Sequence, residues 1–185
     1  MHYTIYANTE DNLGRFALGM AGASPLFIFG VNPSTASQLV PDRTMRKAER
    51  FALLRGDKGY VMLNVYPLRS TCPDDLPSVL DENLHRRNLD TIRQHLQRVR
   101  NPVLWAAWGD PVEKRPYLLD CLTDIHEATK HYSPEWNHCG DLTRSGNPRH
   151  PSRLAYASVW EPFDLPRYLR GKDTTRGMPP RKETP

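Results

Sequence analysis

The chain has 185 residues, of which 38% are hydrophobic, and a formal net charge of +4 at pH 7. This length suffices for one domain with a sizeable core, and no apolar run approaches the roughly 20 residues of a membrane-spanning helix. Three scattered cysteines argue against a secreted domain built on disulfides. We therefore expect a cytoplasmic, monomeric protein that does not associate with a membrane.

The basic charge suits a polyanionic partner, because neutralising phosphates supplies most of the nonspecific affinity for nucleic acid. Part of the excess charge comes from residues 170–185. The proline, glycine and charged side chains of this segment predict a disordered tail rather than a binding surface. We expect one folded domain over residues 1–169, followed by that tail.

Strands and helices are predicted to alternate along the domain. Short apolar runs bounded by glycine or proline indicate strands, and apolar stripes at helical spacing indicate helices between them. The predicted strands cover residues 25–30, 60–65 and 102–109, and the predicted helices cover residues 44–54, 83–99 and 113–122. Residues 152–159 are interpreted as a last strand or the start of a helix. The alternation predicts a three-layer α/β fold, with a mostly parallel sheet between layers of helices.

This topology also predicts where a ligand binds. In open parallel sheets the ligand lies at the carboxyl ends of the strands. That rule selects the loops after Gly30, Asn64 and Gly109 as the candidate site.

The first of these loops carries a polar side chain at the tip of a strand. Pro33 fixes the backbone, and Asn32 can both donate and accept hydrogen bonds. Taken alone, the pair is more typical of an ordinary Asn-Pro turn than of a functional site.

A second polar loop, residues 146–154, places His150 between two prolines and beside Arg149, Ser152 and Arg153. A stiff loop with an imidazole, a hydroxyl and two guanidinium groups suits an approach to phosphate. A surface turn with a solvated histidine is the alternative interpretation.

Order and context connect these segments with a known superfamily. Residues 30–33 (GVNP) resemble the first motif of the uracil-DNA glycosylases, in the asparagine version of the mismatch-specific uracil and thymine enzymes. Residues 150–154 (HPSRL) resemble their second motif. Between them, residues 62–65 resemble the strand that ends in the base-reading asparagine, and residues 104–109 resemble the strand that ends in Trp-Gly.

A closer resemblance is to a family named only as domain of unknown function 1643. It is carried by residues 32–36 (NPSTA), 42–44 (DRT) and 142–151 (LTRSGNPRHP). No activity is implied by this second resemblance.

The superfamily resemblance implies a single domain with a four-stranded central sheet and a pocket for a flipped nucleobase. The expected catalytic residues are Asn32, which would position a water, and His150, which would donate a hydrogen bond to the departing base. Asn64 would bind the edge of the base. The expected wall of the pocket consists of Gly30, Val31, Pro33, Ser34 and Asn64. The expected contacts to DNA come from Ser37, Arg149, Ser152, Arg153 and Leu154, the last as an apolar wedge in the duplex.

The resemblance also shows a departure at Ser34. The uracil-specific members of the superfamily have a tyrosine at the matching position. The tyrosine bars pyrimidines with a substituent at C5. The resemblance therefore implies that this pocket admits thymine or other 5-substituted pyrimidines.

The sequence is compatible with three functions. The protein could be a glycosylase-like enzyme acting on a mismatched or 5-modified pyrimidine, a phage-type enzyme that transfers a group to such a base, or a module that reads the base without turnover. The partner could be DNA, RNA or a free nucleotide. We expect no cofactor and no metal, because the histidines and cysteines match no zinc-binding spacing. These side chains are Cys121, His126, His131, His138 and Cys139.

Overall fold

The structure, a computed structural model, describes residues 3–175. The strands in this range are β1 Ile5–Asn8, β2 Arg15–Met20, β3 Leu26–Gly30, β4 Tyr60–Asn64, β5 Val103–Ala106, β6 Glu135–Cys139 and β7 Trp160–Pro162. The α-helices are α1 Arg43–Arg55, α2 Glu82–Leu96, α3 Pro116–Thr129 and α4 Leu165–Thr175. No helix of the described residues is long and apolar enough to cross a membrane.

The strands form one seven-stranded sheet in the order β1-β2-β4-β3-β5-β6-β7. The four strands in the middle, β4, β3, β5 and β6, run parallel. β1, β2 and β7 extend the sheet by antiparallel pairing at its two sides. The predicted α/β class with a mostly parallel centre is confirmed, but the prediction of four strands is wrong because the antiparallel extensions were missed.

Helices cover both faces of the sheet because the central strands are apolar on both faces. In β3, Phe27 and Phe29 pack in a cluster that includes Ile92 of α2 and Leu118 of α3. Leu26 and Ile28, the alternate residues of the same strand, pack in a second cluster with side chains of α1. The α1 residues in that cluster are Met45, Ala48, Phe51 and Ala52.

The last predicted element is wrong in type. Residues 151–153 form a short 3₁₀ turn that begins at His150, and the next strand starts only at Trp160. The fourth parallel strand is instead β6, Glu135–Cys139. Its sequence, EWNHC, has no apolar run, so the pattern that reveals a buried strand is absent from it.

The end of the domain also differs from the prediction. α4 continues to residue 175, past the boundary expected at residue 169. The contacts of Lys172 account for this continuation, since its Nζ donates to the Ser145 carbonyl at 2.6 Å and also binds the Glu113 carboxylate. The remainder of the expected tail lies outside the described residues.

Asn88 ties α2 to the carboxyl end of β4. Its side chain is fully buried, and Nδ2 donates to the backbone carbonyl of Asn64 at 2.9 Å and to that of Val65 at 3.3 Å. A buried amide with backbone partners fixes the position of a strand end more firmly than apolar packing alone.

Replacing Asn88 with alanine should destabilise the fold. The substitution leaves two buried carbonyls without their donor, a loss of roughly 1–3 kcal/mol in the free energy of unfolding. Urea denaturation measures it. The matched control is Asn83→Ala at the exposed start of α2, which should change stability by less than about 0.5 kcal/mol. Equal losses in the two variants would contradict the assigned role.

Candidate functional site

A cavity of about 720 Å³ opens at the carboxyl ends of the parallel strands; we call it the strand-edge pocket. Its volume lies within the range of pockets that enclose small ligands. Among the predicted site residues, its wall includes Gly30, Val31, Asn32, Ser34, Asn64, Arg149, His150, Ser152 and Arg153. Loops after three different strands thus bring both predicted catalytic residues to one cavity.

Three predicted residues do not line this pocket. Pro33 is buried beneath it, and the Ser37 hydroxyl accepts a hydrogen bond from the Val40 backbone N–H at 3.2 Å within its own loop. Leu154 is only 5% exposed and packs in the cluster under α1. A buried leucine does not protrude as a wedge into DNA, so the role expected for Leu154 does not fit this structure.

The amide of Asn32 is held in one orientation. Its Nδ2 donates to the carbonyls of Ser70 at 2.9 Å and Pro33 at 3.0 Å, and a longer bond reaches the Leu68 carbonyl. Because these carbonyls accept from the NH₂ group, the Oδ1 atom is the part of the amide that can act in the pocket. Asn32 therefore offers a hydrogen-bond acceptor.

His150 offers the complementary group, a donor. Burial lowers the pKa of this histidine to about 4, so its ring is neutral at pH 7. The Ser152 backbone N–H donates to Nδ1 at 3.3 Å, and the Ser152 hydroxyl lies 2.8 Å from the same atom. An Nδ1 that accepts places the ring proton on Nε2. The ring thus presents a neutral N–H donor to the pocket that it lines.

Asn64 lies at the end of β4, opposite Gly30 in the neighbouring strand. It is 1% exposed, and its Nδ2 makes one long bond, 3.4 Å, to the Arg15 carbonyl. A Cβ at Gly30 would stand 3.5 Å from Asn64 Oδ1. The absence of a side chain at Gly30 therefore keeps the approach to this amide open.

Ser34 contributes a small side chain to the wall of the pocket. Its carbonyl accepts from Arg69 Nη1 at 2.8 Å, which fixes the loop after β3. The hydroxyl is half-buried. A loop held through its backbone can vary this side chain without moving, so residue 34 is free to set the size of the pocket.

The loop that carries His150 is anchored by Asn147, which is fully buried. Its Nδ2 donates to Asp110 Oδ1 and to Glu113 Oε1, each at 2.8 Å, and its Oδ1 accepts from the Tyr168 hydroxyl at 2.7 Å. Thr143 closes the same network through Asp110 at 2.5 Å. The sequence analysis placed Asn147 in a motif but did not identify this anchoring role.

Sequence reasoning missed three charged residues in the wall of the pocket, namely Arg15, Asp42 and Asp110. Hydrogen bonds from Thr143 and Asn147 lower the pKa of Asp110, which keeps it ionised. Asp42 caps α1 by accepting from the Met45 N–H at 2.8 Å. Their positions could have identified the two aspartates, since Asp110 follows the carboxyl end of β5 and Asp42 precedes the first residue of α1, in the connection that leaves the carboxyl end of β3.

No group of three or more histidine, cysteine, aspartate or glutamate side chains within residues 3–175 is arranged to hold a metal ion. The polar atoms of the pocket are amides, hydroxyls, guanidinium groups, one imidazole and two carboxylates. Such a set has the hydrogen-bonding groups to bind a polar organic ligand and to stabilise charge that develops on it.

The depressed pKa of His150 predicts a stability that depends on pH. Above about pH 6.5 the ring is neutral in the folded and unfolded chains, so it contributes nothing. As the pH falls from 6.5 towards 4, only the unfolded chain binds the proton, and the folded state loses stability. At pH 5.5 the loss is about 1.4 kcal/mol.

His150→Gln should remove this loss. Urea denaturation at pH 7.5 and 5.5 would show the wild type losing about 1.4 kcal/mol more than the variant between the two values. Other histidines titrate equally in both proteins and cancel. Parallel pH curves would contradict a His150 ring that its surroundings keep neutral.

Comparison with protein-family models finds one match. Residues 15–152 match the family described as "Protein of unknown function (DUF1643)". No curated protein and no solved structure matches the chain. The matched segment contains β2 to β6 and every residue placed in the strand-edge pocket except Arg153. Since it covers well over half of the sequence, the chain belongs to this family.

Proposed function

We propose that this protein binds DNA and receives a flipped, mismatched or 5-modified pyrimidine in the strand-edge pocket, where it cleaves the N-glycosidic bond. One observation carries the proposal. Asn32 lies in the loop after β3, Asn64 at the end of β4 and His150 in the loop after β6, and all three line one cavity. They are the residues that the resemblance to uracil-DNA glycosylases assigns to water, base edge and departing base.

The chemistry of glycosidic cleavage fits what these side chains offer. The reaction passes through an oxocarbenium-like sugar while negative charge develops on the departing base. The neutral Nε2–H of His150 can donate to a carbonyl oxygen of that base, where the charge appears. The Oδ1 of Asn32 can accept a hydrogen bond from a water and orient it towards the sugar.

The chemistry of the Asn32 side chain also limits the rate of hydrolysis. An amide oxygen positions a water but does not remove its proton as a carboxylate would. The proposed enzyme is therefore a slow hydrolase, one that depends on an activated leaving base more than on a strong nucleophile.

A second candidate keeps the pocket and changes the reaction. The absence of a carboxylate at Asn32 favours group transfer to the base, or recognition without turnover, over hydrolysis. Products distinguish the candidates: a free base indicates excision, an altered base still on its sugar indicates transfer, and an unaltered nucleoside indicates a reader.

The proposal predicts separate effects at Asn32 and Ser34. Abasic sites would be measured on duplexes that carry uracil, a T·G mismatch or 5-hydroxymethyluracil. Asn32→Ala should retain binding and lose turnover on the order of a hundredfold, because a positioned water acts chiefly in the transition state. Ser34→Tyr should reduce activity on 5-substituted bases about tenfold or more and spare uracil, since the ring clashes only with the substituent.

Ser24→Tyr, in the exposed turn before β3, is the matched control and should act like the wild type. Wild-type protein that forms no abasic site on any of the three duplexes would refute excision. An equal effect of Ser34→Tyr on all bases would refute the assignment of residue 34 to the C5 side of the pocket.

Arg153 tests DNA as the partner. This side chain is exposed at the edge of the strand-edge pocket, where a phosphate backbone would approach a flipped nucleotide. Arg153→Ala should weaken duplex binding and reduce the slope of log K against log salt by about 1, the value for one lost phosphate contact. Arg86→Ala, at an exposed position of α2, is the control. Identical salt slopes for wild type and Arg153→Ala would argue against this contact.

A further inference from the structure

Of the three arginines in the wall of the strand-edge pocket, Arg15 alone is buried, with 3% of its surface exposed. It is the first residue of β2, which runs antiparallel to β4. This direction brings the start of β2 to the same edge of the sheet as the carboxyl ends of the parallel strands. A guanidinium group thereby enters the wall of the pocket from an antiparallel strand that lies between β1 and β4.

The hydrogen-bonding capacity of Arg15 is largely unused. Its Nη1 donates to the Ala36 carbonyl at 2.8 Å, whereas its buried Nε has no hydrogen-bond partner among the described residues. A guanidinium group carries five N–H donors in a rigid fork. A buried donor without a partner is costly, and an acceptor placed beside it lowers that cost.

The charge of Arg15 is likewise not balanced by an ion pair among the described residues. Within residues 3–175 neither Arg15 nor its neighbour Arg69 forms an ion pair with a carboxylate. Arg69 Nη1 donates to the same Ala36 carbonyl at 3.0 Å, so two like charges meet at one oxygen. Asp42 is the carboxylate that most favours the charged form of Arg15; it also caps α1 and is not in ion-pair contact with the guanidinium group.

Arg15 carries a positive charge at neutral pH despite its burial. Burial and the neighbouring Arg69 lower its pKa to about 10, which is well above neutral pH. Arg15 is buried close to the like charge of the half-buried Arg69, and an anion brought by a ligand offsets the repulsion between the two charges.

The position of Arg15 indicates which part of a ligand it meets. Its carbonyl accepts from Asn64, the residue assigned to the edge of the base. Its guanidinium binds the backbone two residues after Ser34, the residue assigned to the C5 side. Arg15 therefore lies between the group that reads the base and the small side chain that leaves room for a substituent.

We propose that Arg15 forms an anion subsite in the strand-edge pocket, so that the ligand is a pyrimidine with a carboxylate or phosphate group on its 5-substituent. The placement on the pyrimidine rests on the proposed function, whereas the anion subsite rests on Arg15 itself. Carboxylate and phosphate share the bidentate geometry that an arginine fork recognises.

Binding of four 2′-deoxyuridine nucleosides by calorimetry tests the proposal: the 5-carboxy, 5-carboxamide, 5-(phosphooxymethyl) and 5-methyl derivatives. The carboxamide has the shape of the carboxylate without its charge. The wild type should bind the 5-carboxy nucleoside at least about tenfold more tightly than the carboxamide, the value of one charge-assisted hydrogen bond. Comparing the carboxy and phosphooxymethyl derivatives identifies which anion the subsite prefers.

Substitution of Arg15 should remove the preference for the anion. In Arg15→Met the 5-carboxy and 5-carboxamide nucleosides should bind within about threefold of each other. Arg86→Met, on the exposed side of α2, is the control and should keep the full preference. If Arg15→Met does not fold, the wild-type comparison decides, together with competition by inorganic phosphate, which should displace the 5-carboxy nucleoside but not thymidine.

The outcomes separate this inference from the proposed function. Equal binding of all four nucleosides would overturn the anion subsite and leave the pyrimidine pocket standing. Binding of inorganic phosphate that depends on Arg15, without binding of any nucleoside, would support the anion subsite and overturn pyrimidine recognition. No binding of phosphate or of any nucleoside at millimolar concentration would overturn both.

Discussion

The buried amide of Asn147 is the contact on which the geometry of the pocket depends. It joins the loop of residues 141–150 to Asp110 after β5 and to Tyr168 of α4. The loop has no regular secondary structure of its own, so hydrogen bonds must fix it. The satisfied network holds His150 against the end of β5, where the Gly109 N–H also donates to the Pro148 carbonyl at 2.8 Å. A rigid loop on a rigid sheet edge is what a precise donor requires.

The electrostatics of the pocket follow from burial. The same low-polarity surroundings that keep His150 neutral make the unpaired charge of Arg15 costly. A neutral donor and a buried cation in one cavity suit a ligand that is neutral where it contacts the histidine and anionic elsewhere. The proposed pyrimidine with an acidic substituent has this distribution of charge.

Much of the fold could be predicted because three of the central strands are apolar runs in the sequence. Residues 26–30, 60–64 and 103–106 are almost continuously hydrophobic and lie between Gly, Pro and helical stripes. β6 and β7 are short and polar, so periodicity does not distinguish them from loops. β2 begins with a charged residue, Arg15. The burial of Arg15 results from tertiary packing rather than from local sequence.

The candidate site likewise has a part that the sequence predicts and a part that it does not. Asn32, Asn64 and His150 were predicted from motifs and lie at one pocket, because motifs record local loop chemistry and strand ends converge. The orientation of the Leu154 side chain could not be predicted, since a motif does not show whether a side chain faces the solvent or the core. Arg15 reaches the pocket through the antiparallel pairing of β2 with β4, which no local pattern reports.

The central claim is that the strand-edge pocket receives a pyrimidine, and a crystal structure of the protein soaked with 5-carboxy-2′-deoxyuridine tests it most directly. We expect the base edge at Asn64, a base carbonyl oxygen within hydrogen-bond distance of His150 Nε2, and the carboxylate against Arg15. A nucleoside ordered elsewhere on the protein, with this pocket filled only by solvent, would contradict the account.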